Sequence, residues 1–446
     1  MTPQADVRER ILATHASLAP RLPGHRVPWV ERLRRDGLDA FAVSGFPTER
    51  DEAWKYTRLT PLQRQAFVPA PPVQDASMAL AAAVLRETAV PGFDAHRLVF
   101  VDGRHVPALS APGRLPAGVT LDSLAAVLAT DPGVLEPWLP HRERETVFGR
   151  LNAAFMTDGA WLHLARDAEA TLPIELVFVA TAQGAALNLR NVIVAEAGAR
   201  VTLVERYVGH QGAGSFTNAL TQVFAAEGAT VDHCRIQQEP DDSVHIGAVH
   251  VLQQAHSRLA SHVVSLGARL ARTDVTTQFA GLHCHASLDG LYVAGGRQHV
   301  DHHTRIDHAT PHGTSREHYR GVLDGRARGV FTGQVVVHPG AQKTDSAQLN
   351  HNLLLSEAAE ADTRPQLEIH ADDVRCTHGA TVGQLDDDQL FYLRSRGVDT
   401  PIARALLTFA FARAVVDSIG VAPLREHLTR RLLERLPEGH RIGEAV

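Results

Sequence analysis

The feature that most constrains this chain is a weak repeat near its centre. The segments EAGARVTL (196–203), AEGATVDH (226–233), AHSRLASH (255–262) and HCHASLDG (283–290) resemble one another, and their apolar positions Val201, Val231, Leu259 and Leu288 lie 30, 28 and 29 residues apart. A period of about 20–50 residues marks a solenoid, and short strands without helical periodicity mark a β-solenoid. Each coil would stack on the last and bury a narrow column of small apolar side chains. An aromatic content of 5% suits so narrow an interior. After Leu288 the period is lost, because the next similar segment, RARGVFTG, places Val330 a full 42 residues on. A β-sandwich of evenly spaced strands is the alternative this break leaves open.

The repeat does not fill the chain. At 446 residues the protein exceeds what one hydrophobic core supports, so two or three structural units are expected. N-terminal to the repeat, VPWVERLRRDGLDAFAV (27–43) has helical spacing of apolar residues, RLVFVDGRHVPAL (97–109) reads as two short strands about an Asp-Gly turn, and TLDSLAAVLATDPG (120–133) as a short helix. C-terminal to it, DDDQLFYLRSRG has acidic residues for a first turn and Gly397 for a C′ position. Thr400-Pro401 then opens IARALLTFAFARAVVDSIG, which is apolar nearly all round, with Leu406, Phe409, Phe411 and Val415 among its large side chains. Such a helix must be buried, either in its own small bundle or against another protein. These residues are therefore candidate partner contacts. The expected organisation is an N-terminal helical or mixed domain (1–155), a β-solenoid core (156–378) and a C-terminal helical domain (379–446).

Composition excludes several functions. A net charge of -6 lacks the basic balance of a nucleic-acid binder. The opening MTPQADVRERILATHASL has charges where a secretory signal needs an apolar run, and no stretch approaches the length of a membrane span. A cytoplasmic protein is expected. Only three cysteines occur, Cys234, Cys284 and Cys376, with no Cys-x-x-Cys pair, so the chain alone builds neither a zinc ribbon nor a four-thiolate iron–sulfur site. There is no G-x-x-x-x-G-K-[ST] phosphate loop, no dinucleotide fingerprint and no G-x-S-x-G elbow.

Two compositional oddities remain. Only Lys55 and Lys343 are lysines among 44 basic residues, and 15 of the 26 histidines fall between His233 and His351. His283 and His285 on one strand would share a face, and His302 or Asp307 would complete a metal site with them. The alternative places these histidines on a solvated solenoid face. Cys376-Thr377-His378 stands apart, after the strand-like LEIHADDV (367–374) and before the C-terminal helices. On an extended backbone Cys376 and His378 present a thiol and an imidazole together, which suits iron, zinc or a nascent cluster but supplies only two ligands. With Asp372 or Asp373 they would also make a catalytic thiol, and an inert buried cysteine is a third reading.

The stretch VFTGQVVVHPGAQKTDSAQLNHNLLLSEAAEADTRPQLEIHADDVRCTHGATVGQLDDDQLFYLRSRGV (330–398) closely resembles the SufB/SufD family of iron–sulfur cluster assembly proteins. WKYT (54–57) and LNAAFMTDG (151–159) resemble its SufD branch, and the paucity of cysteines agrees with that branch. The resemblance runs from about residue 45 to 420, and both lysines sit inside its motifs. It implies a right-handed parallel β-helix core flanked by an N-terminal helical or α+β domain and a C-terminal helical domain. It further implies a scaffold without catalysis of its own. Such a chain pairs with a SufB-like paralogue through the β-helix cores, docks a SufC-like ABC ATPase on the C-terminal helices, and receives sulfur indirectly from a cysteine desulfurase system. Cys376 and His378 match the family's interface motif, and the implied cofactor is an iron ion or iron–sulfur cluster shared transiently with the paralogue, none being tightly held by the lone chain. A homodimer of the lone chain is left open. The competing readings are a β-helix carbohydrate lyase or hydrolase, a metal enzyme built on His283, His285 and His302, and a purely architectural subunit.

Overall fold

The computed structural model describes residues 3–64, 67–140 and 146–443. Its core is a β-solenoid of about 8 turns. Successive strands alternate between two sheets, so that each coil gives one strand to each. One sheet runs through Ala185–Ala195, Phe216–Ala225, Val244–Gln253, Leu270–Phe279, His299–His308 and Arg328–Val337 to Glu360–Ile369. The other runs through Ile174–Ala180, Arg200–Gly209, Thr230–Gln238, Arg258–Ser265, His285–Ala294, Thr314–Leu323 and Asp345–Leu354 to Arg375–Gly383. Neighbouring strands in this stack are all parallel.

The register shows what the repeat was. Val201, Val231 and Leu259 are direct partners, and the column continues through Ala286, Ser315 and Ser346 to Cys376, in steps of 30, 28, 27, 29, 31 and 30 residues. The period never breaks. It becomes invisible because its slot passes from valine and leucine to alanine, serine and cysteine. Leu288 sits two residues further on, on the same inward face, while Val330 belongs to the opposite sheet. The β-sandwich alternative falls, since stacked parallel coils replace antiparallel pairing.

One corner repeats as strictly as the strands. Asp167, Gly198, Gly228, His256, His283, His312 and Lys343 all have left-handed backbones with φ between 57° and 74°. The N–H of each of the first six donates to the carbonyl of the residue just before the next member, as in His256 to Leu282, and Lys343 donates in the same way to Asp373 of the last coil. Glycine enters this conformation without strain, and Asp and His are enriched there among other residues. At Gly198 a Cβ would also come within 2.2 Å of the Asp167 carboxylate. The rings of His256, His283 and His312 stack up the corner with centroids 5.1 and 4.7 Å apart.

Helical layers of the same chain cover both broad faces. Phe41, Trp54, Phe148 and Phe155 pack on Phe216, Val244, Ile246 and Leu270 of the first sheet. Thr57 donates to Asp301 at 2.5 Å, and the Arg272 guanidinium lies 3.9 Å over the Trp54 ring and 2.9 Å from Asp301. The WKYT element is thus a staple across two neighbouring coils. On the second sheet, Val204, Cys234, Ile236, Val264, Leu291, Val293 and Val322 meet Ala412, Val415, Val416, Leu424, Leu428 and Leu432. The apolar helix Thr400–Val416 is therefore buried against the chain's own solenoid, a solution that neither expected alternative contained.

Local expectations mostly match. Helix Pro28–Ser44 and helix Asp387–Ser395 form, the latter with Asp386 accepting from the N–H of Asp388 and Gln389. His96–Val101 and Arg104–His105 pair antiparallel about Asp102-Gly103, but 107–109 is a 3₁₀ turn and not strand. Residues 119–123 extend as a strand before helix Leu124–Thr130 begins. Among the described residues, no helix is long and apolar enough to cross a membrane.

Candidate functional site

The two sheets end in Glu360–Ile369 and Arg375–Gly383, each hydrogen-bonded along one side only. This last coil is largely exposed, in contrast to the buried strands before it. The solenoid thus has an open end, with main-chain donors and acceptors along two free edges and exposed Leu349, Ile369 and Val382 near it. Free edges of this kind are templates for pairing with another chain.

Cys376 and His378 both stand on the terminal strand. The strand expected at 367–374 is divided, since Glu360–Ile369 ends at 369 and the next strand begins at 375. Cys376 pairs with Ser346 and His378 with Gln348, both fully enclosed residues of inward-facing columns. The register therefore gives the two side chains the same face, at the rim of the lumen. Cys376 is half-buried against the interior apolar cluster, and that desolvation pushes its thiol above the ordinary value. His378 is exposed. A raised thiol is the opposite of an activated nucleophile. Asp373 meanwhile is engaged by Lys343 in an ion pair across the left-handed corner. The Cys-His-Asp catalytic arrangement is not formed.

The other two cysteines are structural. Cys234 lies beneath the C-terminal helices, and burial pushes its thiol up to about 12. Cys284 sits inside a corner, with its sulfur 3.0 and 3.1 Å from the carbonyls of Gly281 and Gln254. The histidine metal site is overturned by placement. His283 is an exposed corner residue and the strand begins only at His285, so the two do not share a strand face, while His302 is enclosed in the lumen. Among the described residues, no group of three or more His, Cys, Asp or Glu side chains comes together to hold a metal ion. Nor do the histidines all lie on a solvated face, because His233, His245, His262, His302 and His308 are buried.

Of the residues expected at a partner surface, Val415 is only 1% exposed and packs in the chain's own core. Leu406, Phe409 and Phe411 are half-buried, and Arg320 caps the Phe411 ring at 4.9 Å while donating to its carbonyl. The fully offered aromatics lie one helix earlier, in Phe391 (71% exposed) and Tyr392 (58%). Sequence reasoning passed over this pair, although adjacent aromatics on a short amphipathic helix cannot both face inward.

The family model described as SUF system FeS cluster assembly, SufBD core domain, matches residues 178–411, and that of the SufBD protein N-terminal region matches residues 13–176. The chain belongs to the SufBD family. The core match covers the solenoid and most of the apolar helix, and so includes the open end with Cys376 and His378. An iron–sulfur cluster assembly SufBD family protein of Synechocystis is 34% identical over 89% of this chain and 88% of its own length. The iron–sulfur cluster assembly protein SufD of Escherichia coli is 32% identical over 91% of this chain and 92% of its own. The SufD of Bacillus subtilis is 28% identical over 62% and 64%.

Proposed function

We propose that this SufBD chain is a non-catalytic scaffold subunit of an iron–sulfur cluster assembly machine and contributes half of a shared site at its open end. The observation that carries this is the rim. One thiol and one imidazole face the same way on a terminal strand with one free edge, where a second solenoid would add its own coil and its own ligands. Two ligands cannot hold a cluster, and four can. A SufB-like paralogue fits as the chain across the rim, by analogy with the names of the relatives. A SufC-like ABC ATPase fits on the C-terminal helices, where Phe391 and Tyr392 are offered, and supplies the nucleotide chemistry for which this sequence has no motif. Sulfur would reach the complex from a cysteine desulfurase system. Iron and sulfide are cargo on this reading, and closing or opening the interface completes or releases the site.

The test is His378→Ala in the complex reconstituted with both partner chains. Cluster assembly is expected to fall while the complex stays intact, and Cys376→Ser separates the contribution of the thiol. Unchanged assembly in an intact His378→Ala complex would refute the shared-site reading and leave an architectural role.

A further inference from the structure

Directly inward from His378, one coil at a time, stand Gln348 and Glu317. Both are enclosed, with Glu317 2% exposed. Nε2 of Gln348 donates to Oε2 of Glu317 at 2.6 Å. It reaches across because the residue beside it is Gly333, where a Cβ would lie 2.0 Å from that nitrogen. Thr304 hydrogen-bonds to Glu317 from the other sheet. Two residues before Thr304, His302 is held between the rings of Tyr292 and Tyr319, at centroid distances of 5.3 and 5.4 Å.

Three polar atoms of this group have no hydrogen-bond partner among the described residues: Oε1 of Gln348 and both ring nitrogens of His302. An unpaired buried polar atom is costly, and native structures pair nearly all of them with protein or water. Deeper in the lumen the buried carboxylates are closed by ion pairs. There Arg235 pairs with Glu205 at 2.7 Å and His245 pairs with Glu239 at 2.7 Å. Near the open end the atoms are left to a small polar occupant, and a water needs only two to four such partners.

The groups around Glu317 leave it poised. Burial pushes its carboxyl up to about 7, and Asp289 on the preceding strand adds to the rise. His302 is pushed down to about 4 by the same enclosure and is neutral. Tyr292 and Tyr319, the remaining titratable neighbours, are raised by burial and stay protonated.

We propose that Glu317, with Gln348, Thr304 and His302, forms a hydrated proton-exchange chamber that serves the rim site from inside the lumen. The inference rests on reading the rim as the place where iron and sulfide are held. Metal ligands bind in deprotonated form, so loading the rim releases protons that need an acceptor. The ionised Glu317 carboxylate takes one up through lumen water, forming its O–H bond. On reset that O–H bond breaks, the proton returns to solvent through the rim, and no electron moves.

The experiment measures cluster assembly in the reconstituted complex from about pH 6 to about pH 9, since a carboxyl acceptor gives the rate a rising limb through its titration. Wild type is expected to show that limb near neutrality. Glu317→Gln should remove the limb and lower the rate about tenfold at its upper end, and Glu317→Asp should keep a limb at a shifted midpoint. Infrared spectra of the lone chain should show a protonated-carboxyl band that titrates near neutrality and is lost in Glu317→Gln. An unshifted limb in Glu317→Asp, an unchanged profile in Glu317→Gln, or no such band in wild type overturns the chamber. If His378→Ala is silent the rim reading itself fails, whereas an inactive His378→Ala beside an unchanged Glu317→Gln profile removes only the chamber.

Discussion

Two tyrosines and two glycines alternate in the lumen, and they give a sharp test of how the coils pack. Gly290 is the register partner of Tyr319, and Tyr292 is the partner of Gly321. A Cβ on Gly290 would sit 2.0 Å from Cε1 and 2.2 Å from Cδ1 of the Tyr319 ring. Carbon atoms prefer about 3.5–4.0 Å, so the ring must retreat by about 1.5 Å. It has nowhere to go, because His302 and Phe331 stand 5.4 and 5.0 Å away between ring centroids. Gly290→Ala is therefore expected to cost about 3 kcal/mol, at the upper end of overpacking penalties. Tyr319→Ala should cost about 3–5 kcal/mol through the cavity it leaves. The double variant should cost little more than Tyr319→Ala alone, a coupling of about 2–3 kcal/mol, because the clash is gone. Coils of a solenoid respond locally. The assay is hydrogen exchange in peptides covering 285–294 and 314–323, alongside chemical denaturation. A neutral Gly290→Ala, or strictly additive costs in the double variant, would refute the interlocked packing.

Glu317 makes stability pH-dependent. Its folded value near 7 exceeds the ordinary 4.5, so the folded chain holds the extra proton between those values. Stability from this group is thus present below about pH 4.5, falls as pH rises to about 7, and is about 3 kcal/mol lower above that. Denaturation of Glu317→Gln should gain by about that amount relative to wild type between about pH 5 and pH 8, and a pH-independent difference would contradict it. Asp301→Ala should cost about 1–3 kcal/mol, because Arg272 loses one of its two carboxylates while Asp274 stays 2.9 Å away. Limited trypsin digestion should then cut faster at the exposed Lys55, and an unchanged rate would mean the staple is not held by Asp301. Iodoacetamide should label Cys376 in the native chain well before Cys234 or Cys284, read by peptide mass spectrometry. Early labelling of Cys234 would show that the C-terminal helices do not cover it.

Much of the candidate site was legible, but not by periodicity. Cys376 occupies the same column as Val201, Val231 and Leu259, yet an apolar search loses that column at Ala286, Ser315 and Ser346. The interior here is not uniformly hydrocarbon, so hydrophobicity stops tracking it. The corner histidines were legible in principle. His256, His283, His312 and Lys343 recur at 27, 29 and 31 residues, the coil spacing itself, but nothing in three histidines and a lysine announces a shared left-handed backbone. Lys343 loses its oddity as one member of that corner, paired with Asp373.

The sequence by itself determined the coil length, the flanking helices and the family, because these are written in local spacing and in contiguous motifs. It also determined that Cys376 and His378, two residues apart on a strand, share a face. The tertiary structure decided the rest. It put Val415 under the chain's own sheet, separated His283 from His302, left the terminal coil without a neighbour, and brought Glu317, Gln348 and Thr304 together across the lumen. The physical reason is that burial and pairing are properties of what lies one coil away. That neighbour is some thirty residues distant in the chain, where no local pattern can report it.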